Sequence, residues 1–339
     1  MAIAIGVDVA NSFVKIASFS HNEDLLDSYP NTRRVVNPFE EKTDVLAPQT
    51  KETIYEIDGR AYTVGERGSN LITSSMGDIE RYTSQGYIDE TLIALAKHTK
   101  NGEDVIFCGG VPALHNYNKE MKTKLKELLT KRHTVIINGY PVTFIIRKSY
   151  ILLQPLGVYM AVVYDSKGNM VQPDLAQEDT LIIDIGWGTT DVAIMRGSTL
   201  IRALDGGKAM NFAYKQILDG LRKLYPELHA EKITTLHMEE QLRHGDKFSW
   251  GNTEYDCSEI KKIAFDITAG AIIEEVKRGV ADEGMTLRSF KSVIFAGGGL
   301  LSLSKYFKPY TESFNNVKVP NNSQMASAIG FGIYAKMKG

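Results

Sequence analysis

The chain is short of several things at once. Among its 339 residues there are two cysteines, Cys108 and Cys257. So few give no disulfide framework and point to a reducing, cytoplasmic setting. No apolar run is long enough to span a bilayer, and no secretory leader opens the chain, so no membrane partner is expected. The formal net charge is only −2, which argues against a protein that coats nucleic acid directly. The seven histidines are scattered, and no cysteine or histidine cluster has metal-ligand spacing. Hydrophobic residues at 43% and charged residues at 24% are ordinary for a globular protein able to bury a sizeable core.

What is present is one motif used twice. In Thr180 to Met195, TLIIDIGWGTTDVAIM, Leu181–Ile183 reads as a buried strand and Val192–Ile194 as its antiparallel return. Between them Gly186 and Gly188 leave little side chain above the backbone, as close approach to a ligand requires. Consecutive amides in such a turn form an anion-binding nest, and Thr189 and Thr190 add hydroxyl donors. Asp184 and Asp191 would repel a bare phosphate, so a divalent cation such as Mg²⁺ belongs between them. The N-terminal stretch AIAIGVDVANSFVKIASFS repeats the plan. Ile3–Val7 forms a strand, Asp8 ends it, Asn11 and Ser12 turn, and Phe13–Phe19 returns with Lys15 as a compact positive charge. A third stretch, SVIFAGGGLLSL from Ser292, runs from a strand through Gly297, Gly298 and Gly299 into a helix, a place where a nucleotide approaches closely.

Between these stretches strands and helices alternate, which points to an α/β architecture. Ser20–Thr53 is expected to be irregular with short strands, and Asp58-Gly59 marks a hairpin within Ile54–Val64. Helices are expected over Ile88–His98, Tyr117–Leu129 and Ala209–Tyr225, and strands at Val105–Cys108, Val135–Ile137 and Val142–Arg147. Glu227–Gly245 reads as charged and helical, and Phe248–Tyr255 as a small hairpin. Ser258–Val280 reads as a long helix with an apolar stripe of Ile260, Ile263, Ala264, Ile267 and Ala271 facing the core. Gly206 and Gly207 precede a helix and suggest a nucleotide-facing turn; Lys208 beside them touches phosphate or is merely solvated.

The three glycine-bearing stretches resemble the phosphate-1, phosphate-2 and adenosine motifs of the actin-like ATPase superfamily. LLQPLGVYMAVV from Leu152 and NNSQMASAIGFGIYAKM from Asn321 resemble its two connecting helices. The segment GGKAMNFAYKQIL and the ending NNSQ…GFGIYA are most similar to the ParM-like plasmid-segregation actins. The resemblance implies two similar α/β domains of ribonuclease H-like fold with a nucleotide cleft between them. Domain I would comprise residues 1–158 and 323–339, with a small subdomain inserted at about 25–85, and domain II residues 159–322. It implies ATP or GTP with Mg²⁺ held by Asp8 and Asp184. Asn11, Ser12, Lys15, Gly186, Trp187, Gly188, Thr189, Thr190, Gly206, Gly207, Lys208, Gly297, Gly298 and Gly299 would line the nucleotide, and Glu231 or Lys232 would reach the ribose or base. Gln154 and Asp191 would place the water that attacks the γ-phosphorus, with Asp184 in the same machinery. It further implies dynamic filaments and plasmid DNA moved through a ParR-like DNA-binding adaptor on a centromere-like site, with no direct nucleic-acid contact. A small-molecule kinase of the sugar-kinase type is the alternative on the same fold.

The sequence departs from the superfamily pattern at two places. Trp187 stands where related turns carry a small or acidic residue, and the first hairpin lacks the glycine that often follows its aspartate.

Overall fold

A computed structural model of the chain describes residues 2–20, 23–36, 52–66, 79–115, 117–312, 314 and 316–339, and every structural statement below concerns these. Part of the stretch expected to be irregular, residues 37–51, and part of the expected inserted subdomain, residues 67–78, lie outside them. The chain divides into two compact units. One comprises Met1–Val111, His115–Val171 and Ser327–Gly339; the other comprises Pro112–Leu114 and Gln172–Ala326.

In the first unit the elements run β1 (Ile3–Val9), β2 (Phe13–Phe19), β3 (Asp24–Pro30), β4 (Arg33–Val36), β5 (Tyr55–Ile57), β6 (Arg60–Val64), α1 (Gln85–Ala96), β7 (Asp104–Val111), α2 (Lys119–Leu129), β8 (Arg132–Ile137), β9 (Tyr140–Leu153) and α3 (Gln154–Val163). The second contributes β10 (Asp179–Ile185), β11 (Thr190–Arg196), β12 (Thr199–Asp205), α4 (Met210–Leu224), α5 (Thr235–Leu242), β13 (Lys247–Trp250), β14 (Thr253–Asp256), α6 (Ser258–Asp282), β15 (Ser292–Ala296), α7 (Leu300–Thr311) and β16 (Asn316–Lys318). Helix α8 (Ala326–Lys338) returns the chain to the first unit.

The two units share one strand plan. The nine-stranded sheet of the first unit is ordered β3-β2-β1-β7-β9-β8-β5-β6-β4, and the five-stranded sheet of the second β12-β11-β10-β15-β16. In both, three antiparallel strands joined by short turns are followed by two parallel neighbours. In the larger sheet the outermost strands, β3 and β4, are separated only by Asn31 and Thr32, so the sheet curls back towards its own start. The 14-residue β9 makes this possible. It pairs with β8 early and with β7 later, with a register shift opposite Val105/Ile106 that lets it bend. A strand only over Val142–Arg147 was expected. The exposed Arg147 and Lys148 beside that irregularity hide its continuation from a simple alternation rule.

Helices cover both faces of the first sheet. Helices α1 and α2 bury Leu92, Ile93, Leu95, Leu125 and Leu129 against Ile5, Val7 and Phe107. On the other face α8 buries Ala328, Phe331 and Ile333 against Ala4, Ala17 and Cys108. Helices α3 and α8 meet backbone to backbone. A Cβ built on Gly330 would lie 1.7 Å from the Gly157 oxygen, and one on Gly6 would lie 2.2 Å from the Gly332 nitrogen. No side chain fits at these crossings.

Two elements of the second unit differ from expectation. The stretch Glu227–Gly245 is not one helix. Thr234 caps α5 through the His237 amide, and His237 bonds back to the Thr234 amide, which starts a new helix there. Helix α6 buries Ala264, Phe265, Thr268, Ala269, Ile272, Ile273, Val276 and Val280, whereas Ile263 and Ile267 are exposed. The buried face is therefore rotated by about one residue from the expected stripe, because a helix that is apolar on several sides leaves its inward face undecided by pattern.

Helix α1 is buried on nearly every side and carries two carboxylates inside. Asp89 receives a two-pronged bond from Arg60, 3.1 Å on each oxygen, and others from Tyr62 and Gln85 at 2.8 Å. Glu90 accepts only from the Tyr29 hydroxyl at 2.9 Å, and its second oxygen has no partner. Burial pushes the Glu90 carboxyl up to about 7, against a smaller opposing effect of the Tyr29 bond. The folded protein then holds a proton that the unfolded chain releases, so stability falls as pH rises from about 4.5 to about 7. Glu90→Gln should flatten this part of the profile. The wild type loses on the order of 3 kcal/mol relative to the variant across that window, measured by denaturant unfolding at pH 5 and pH 8; parallel profiles would refute the assignment.

Candidate functional site

Each unit, each half of the fold, carries a turn at the end of its first strand, and the two turns are built alike. Asp8 is the penultimate residue of β1, as Asp184 is of β10. Two residues later the Ala10 amide donates to the Phe13 carbonyl at 3.1 Å, and the Gly186 amide to the Thr189 carbonyl at 2.8 Å. The four-residue turns Ala10–Phe13 and Gly186–Thr189 thus correspond position for position. Asn11 matches Trp187, Ser12 matches Gly188 and Lys15 matches Asp191. The amides of Asn11 and Ser12, like those of Trp187, Gly188 and Thr189, make no hydrogen bond among the described residues. Outward-facing amides in such turns are ready anion donors.

In the first half Asp8 is 2% exposed and engaged on both oxygens. Lys15 Nζ lies 2.9 Å from Oδ2, and Gln154 Nε2 donates to Oδ1 at 2.7 Å. Lys15 arrives from the cross-strand partner position of β2, in register with Asp8. Gln154 opens α3, where Pro155 supplies a first-turn residue with no amide to satisfy. The Asp8–Gln154 bond leaves the Gln154 amide oxygen as an acceptor. Asn11 turns its side-chain oxygen to Arg81, and the Ser12 carbonyl accepts from the Asn31 amide at 2.9 Å. Neither Arg81 nor Asn31 was expected from the sequence; each is a lone polar residue outside any motif.

In the second half the turn is tied to α4. The carbonyls of Gly186 and Trp187 accept from the amides of Met210 and Asn211 at 3.3 and 2.9 Å. They cap a helix that has no side-chain cap of its own. The Trp187 side chain does not face outwards. It is 8% exposed and packs in the core of this unit, its ring 5.5 Å from that of Tyr214. Thr190 is fully buried and donates to the Lys208 carbonyl at 2.6 Å, so its hydroxyl holds the next turn. There the Gly206 amide donates to the Thr190 carbonyl at 2.6 Å, and Gly207 adopts φ +71° with its amide on Asp205. The Lys208 ammonium is exposed, 4.7 Å from the Phe212 ring.

Asp191 lies opposite Asp184 across the hairpin and opposite Asp205 on its other side. It is 4% exposed, accepting from the Ala113 amide at 2.5 Å and the Thr189 hydroxyl at 2.9 Å. Burial pushes its carboxyl up to about 7, and the charges of Asp184 and Asp205 push the same way. The Ala113 contact was not foreseen. It comes from the Pro112–Leu114 segment that packs with this unit.

The triple glycine joins this half. Gly297 has φ +92°, and a Cβ there would lie 2.6 Å from Asp184 Oδ1 and 2.2 Å from the Ile185 carbonyl. The Gly299 amide donates to the same Ile185 carbonyl at 2.9 Å. Gly298 faces the Gln324 side chain at 3.6 Å with nothing nearer. The strand end carrying Asp184, the glycine turn after β15 and the start of α4 are therefore one contiguous surface. Glu231 is elsewhere in its bonding: exposed, it accepts from Trp250 Nε1 at 2.9 Å.

Two family models match the chain. The actin-like protein N-terminal domain covers residues 6–157, and the C-terminal domain of the archaeal actin homologue, MreB-like, covers residues 182–309. The chain belongs to the actin-like superfamily.

The actin-like protein MamK of Magnetospirillum gryphiswaldense is 26% identical over 170 residues, which are 42% of this chain and 44% of MamK. Among solved structures, the archaeal actin homologue Ta0583 in complex with ADP is 18% identical with a TM-score of 0.76, covering 100% of both chains. Apo pSK41 ParM is 15% identical with a TM-score of 0.73, covering 99% of this chain and 98% of its own. The Alp12 filament structure is 15% identical with a TM-score of 0.67, covering 99% of each. The actin-like fold expected from the doubled hairpin is thus found.

The buried indole gives this actin-like chain a test that separates packing from ligand contact. Trp187→Ala should cost about 3–5 kcal/mol of stability, while Trp187→Phe costs far less, both read by denaturant unfolding without nucleotide. An unchanged midpoint for Trp187→Ala would contradict the core placement.

Proposed function

We propose that the protein binds ATP or GTP with Mg²⁺, hydrolyses it, and polymerises into dynamic filaments that segregate plasmid DNA. The observation that carries this reading is the doubled turn, each copy with an aspartate at its strand end and unused amides beside it. Support for nucleotide comes from the ADP complex of Ta0583. Support for self-assembly comes from Alp12, solved as a filament, and the plasmid role follows the resemblance to ParM. A ParR-like adaptor on a centromere-like site would then supply the DNA contact.

The residues fit a hydrated Mg²⁺. Asp184 is half-exposed beside Gly297 and faces another carboxylate, so a cation relieves the repulsion there. Asp8, its charge balanced by Lys15, would also hold the metal. When bound, the metal neutralises charge on the phosphates. The amides of Asn11, Ser12, Gly188 and Thr189 hold the phosphate oxygens. Gln154, anchored through its nitrogen on Asp8, offers its oxygen to orient the attacking water. Asp191 acts through Thr189, whose hydroxyl it fixes. Gly297–Gly299 and the Gly206–Gly207 turn leave room for the nucleoside. In such a site positioning supplies most of the catalysis.

The test is right-angle light scattering with phosphate release followed in parallel after addition of Mg-ATP or Mg-GTP. A rise in scattering that decays as phosphate appears is expected, and the faster nucleotide identifies the preferred base. Asp184→Ala should abolish Mg-dependent hydrolysis. Gln154→Ala should slow hydrolysis by roughly 10²-fold while nucleotide still binds. Binding without scattering at any protein concentration would refute the filament and favour a small-molecule kinase on the same fold.

A further inference from the structure

We infer that Arg81 is a positioning residue for the first phosphate turn: its buried guanidinium sets which groups of Val9–Ser12 face inwards and which are offered to an anion. The inference rests on the nucleotide reading above and assigns a role to a residue outside the motifs.

Arg81 lies in the 3-10 turn Ile79–Thr83 and is 6% exposed. Its Nη2 donates to the Val9 carbonyl at 2.8 Å and the Ala10 carbonyl at 3.3 Å, and its Nη1 donates to Asn11 Oδ1. The guanidinium carbon lies 5.8 Å from the ring centroids of both Tyr82 and Tyr87. Nε is buried without a partner, and no carboxylate among the described residues pairs with the group. Asn31 reinforces the arrangement, donating from its side chain to the Ala10 carbonyl and from its amide to Ser12.

Peptide planarity turns these contacts into a direction. In a trans peptide the carbonyl and the following amide point oppositely. Holding the Ala10 carbonyl on Arg81 therefore points the Asn11 amide away from the guanidinium. The same logic fixes the Asn11 side chain: its oxygen is taken by Arg81, so its Nδ2 is the end left to donate. Carbonyl dipoles, which would repel phosphate, are drawn inwards and donors are left outwards. The charge matters too. Asp8 is already balanced by Lys15, so among the described residues no carboxylate is left to pair with the buried Arg81 cation, and an anion bound beside the turn would offset the cost of burying it. In the second half Trp187 occupies the position of Asn11 and anchors its turn by core packing; in the first half a cation performs that fixing.

The experiment uses the full chain and compares Arg81→Met, Arg81→Lys and Asn11→Asp. Mg-ADP and Mg-ATP affinities come from calorimetry, and kcat and KM from phosphate release. Arg81→Met should weaken Mg-ADP about tenfold or more and raise KM more than it lowers kcat. Arg81→Lys, which keeps the charge, should recover part of the loss. Asn11→Asp keeps and strengthens the bond to Arg81, so its unfolding temperature should hold while its nucleotide affinity falls, because the outward Nδ2 donor becomes a carboxylate oxygen. Wild-type affinity in Arg81→Met, or in Asn11→Asp, overturns the inference and leaves the nucleotide reading standing. Failure of the wild-type protein to bind either nucleotide overturns both.

Discussion

The arrangement depends on what stands across the hairpin from each strand-end aspartate. Opposite Asp8 stands Lys15, and the pair closes at 2.9 Å with its charge balanced. Opposite Asp184 stands Asp191, and two carboxylates side by side cannot both stay ionised without help. The protein meets this by burying Asp191, where its pKa rises to about 7, and leaving Asp184 half-exposed. One copy of the duplicated turn thus pairs its aspartate with a lysine across the hairpin, and the other pairs it with a second carboxylate.

Around this constraint the structure works with main chain more than with side chains. The turn Gly186–Thr189 caps α4 through two carbonyls, Gly297 and Gly299 crowd the Ile185 carbonyl, and Gly206 sits against Thr190. Glycine at Gly297 is required twice over, by a positive φ and by the Asp184 oxygen 2.6 Å from where a Cβ would be. Several hydroxyls and amides that look like ligand contacts by type are used internally. Thr190 bonds to Lys208, Thr189 to Asp191 and Asn11 to Arg81. These bonds hold the loops from which the unused amides project.

Much of this was legible because it is short-range. Apolar runs such as Leu181–Ile183 ended by an aspartate and glycines read as a strand and a turn, and the repetition of that pattern, with the triple glycine and the connecting helices, carried the resemblance that implied the fold. What escaped was long-range or degenerate. Arg81 reaches the Val9–Asn11 turn across some seventy residues of chain, and Ala113 reaches Asp191 across a similar stretch. No local pattern marks either. The inward face of α6 escaped because Ile263 and Ile267 are as apolar as Ile272 and Ile273, so only packing against α4 and α7 decides between them. Glu231, a polar residue near the family's base-side segment, is bonded to a hairpin indole, a partner that no local pattern marks.

The two tryptophans occupy very different surroundings. Trp187 is locked into a core within the Gly186–Thr189 turn, its carbonyl on α4, while Trp250 lies in the β13–β14 hairpin with its indole nitrogen on the exposed Glu231. The intrinsic emission of the protein therefore divides into a buried component at the Gly186–Thr189 turn and a half-buried component from the β13–β14 hairpin. The molecule carries its own optical gauge of that turn, with an internal reference, and needs no attached dye.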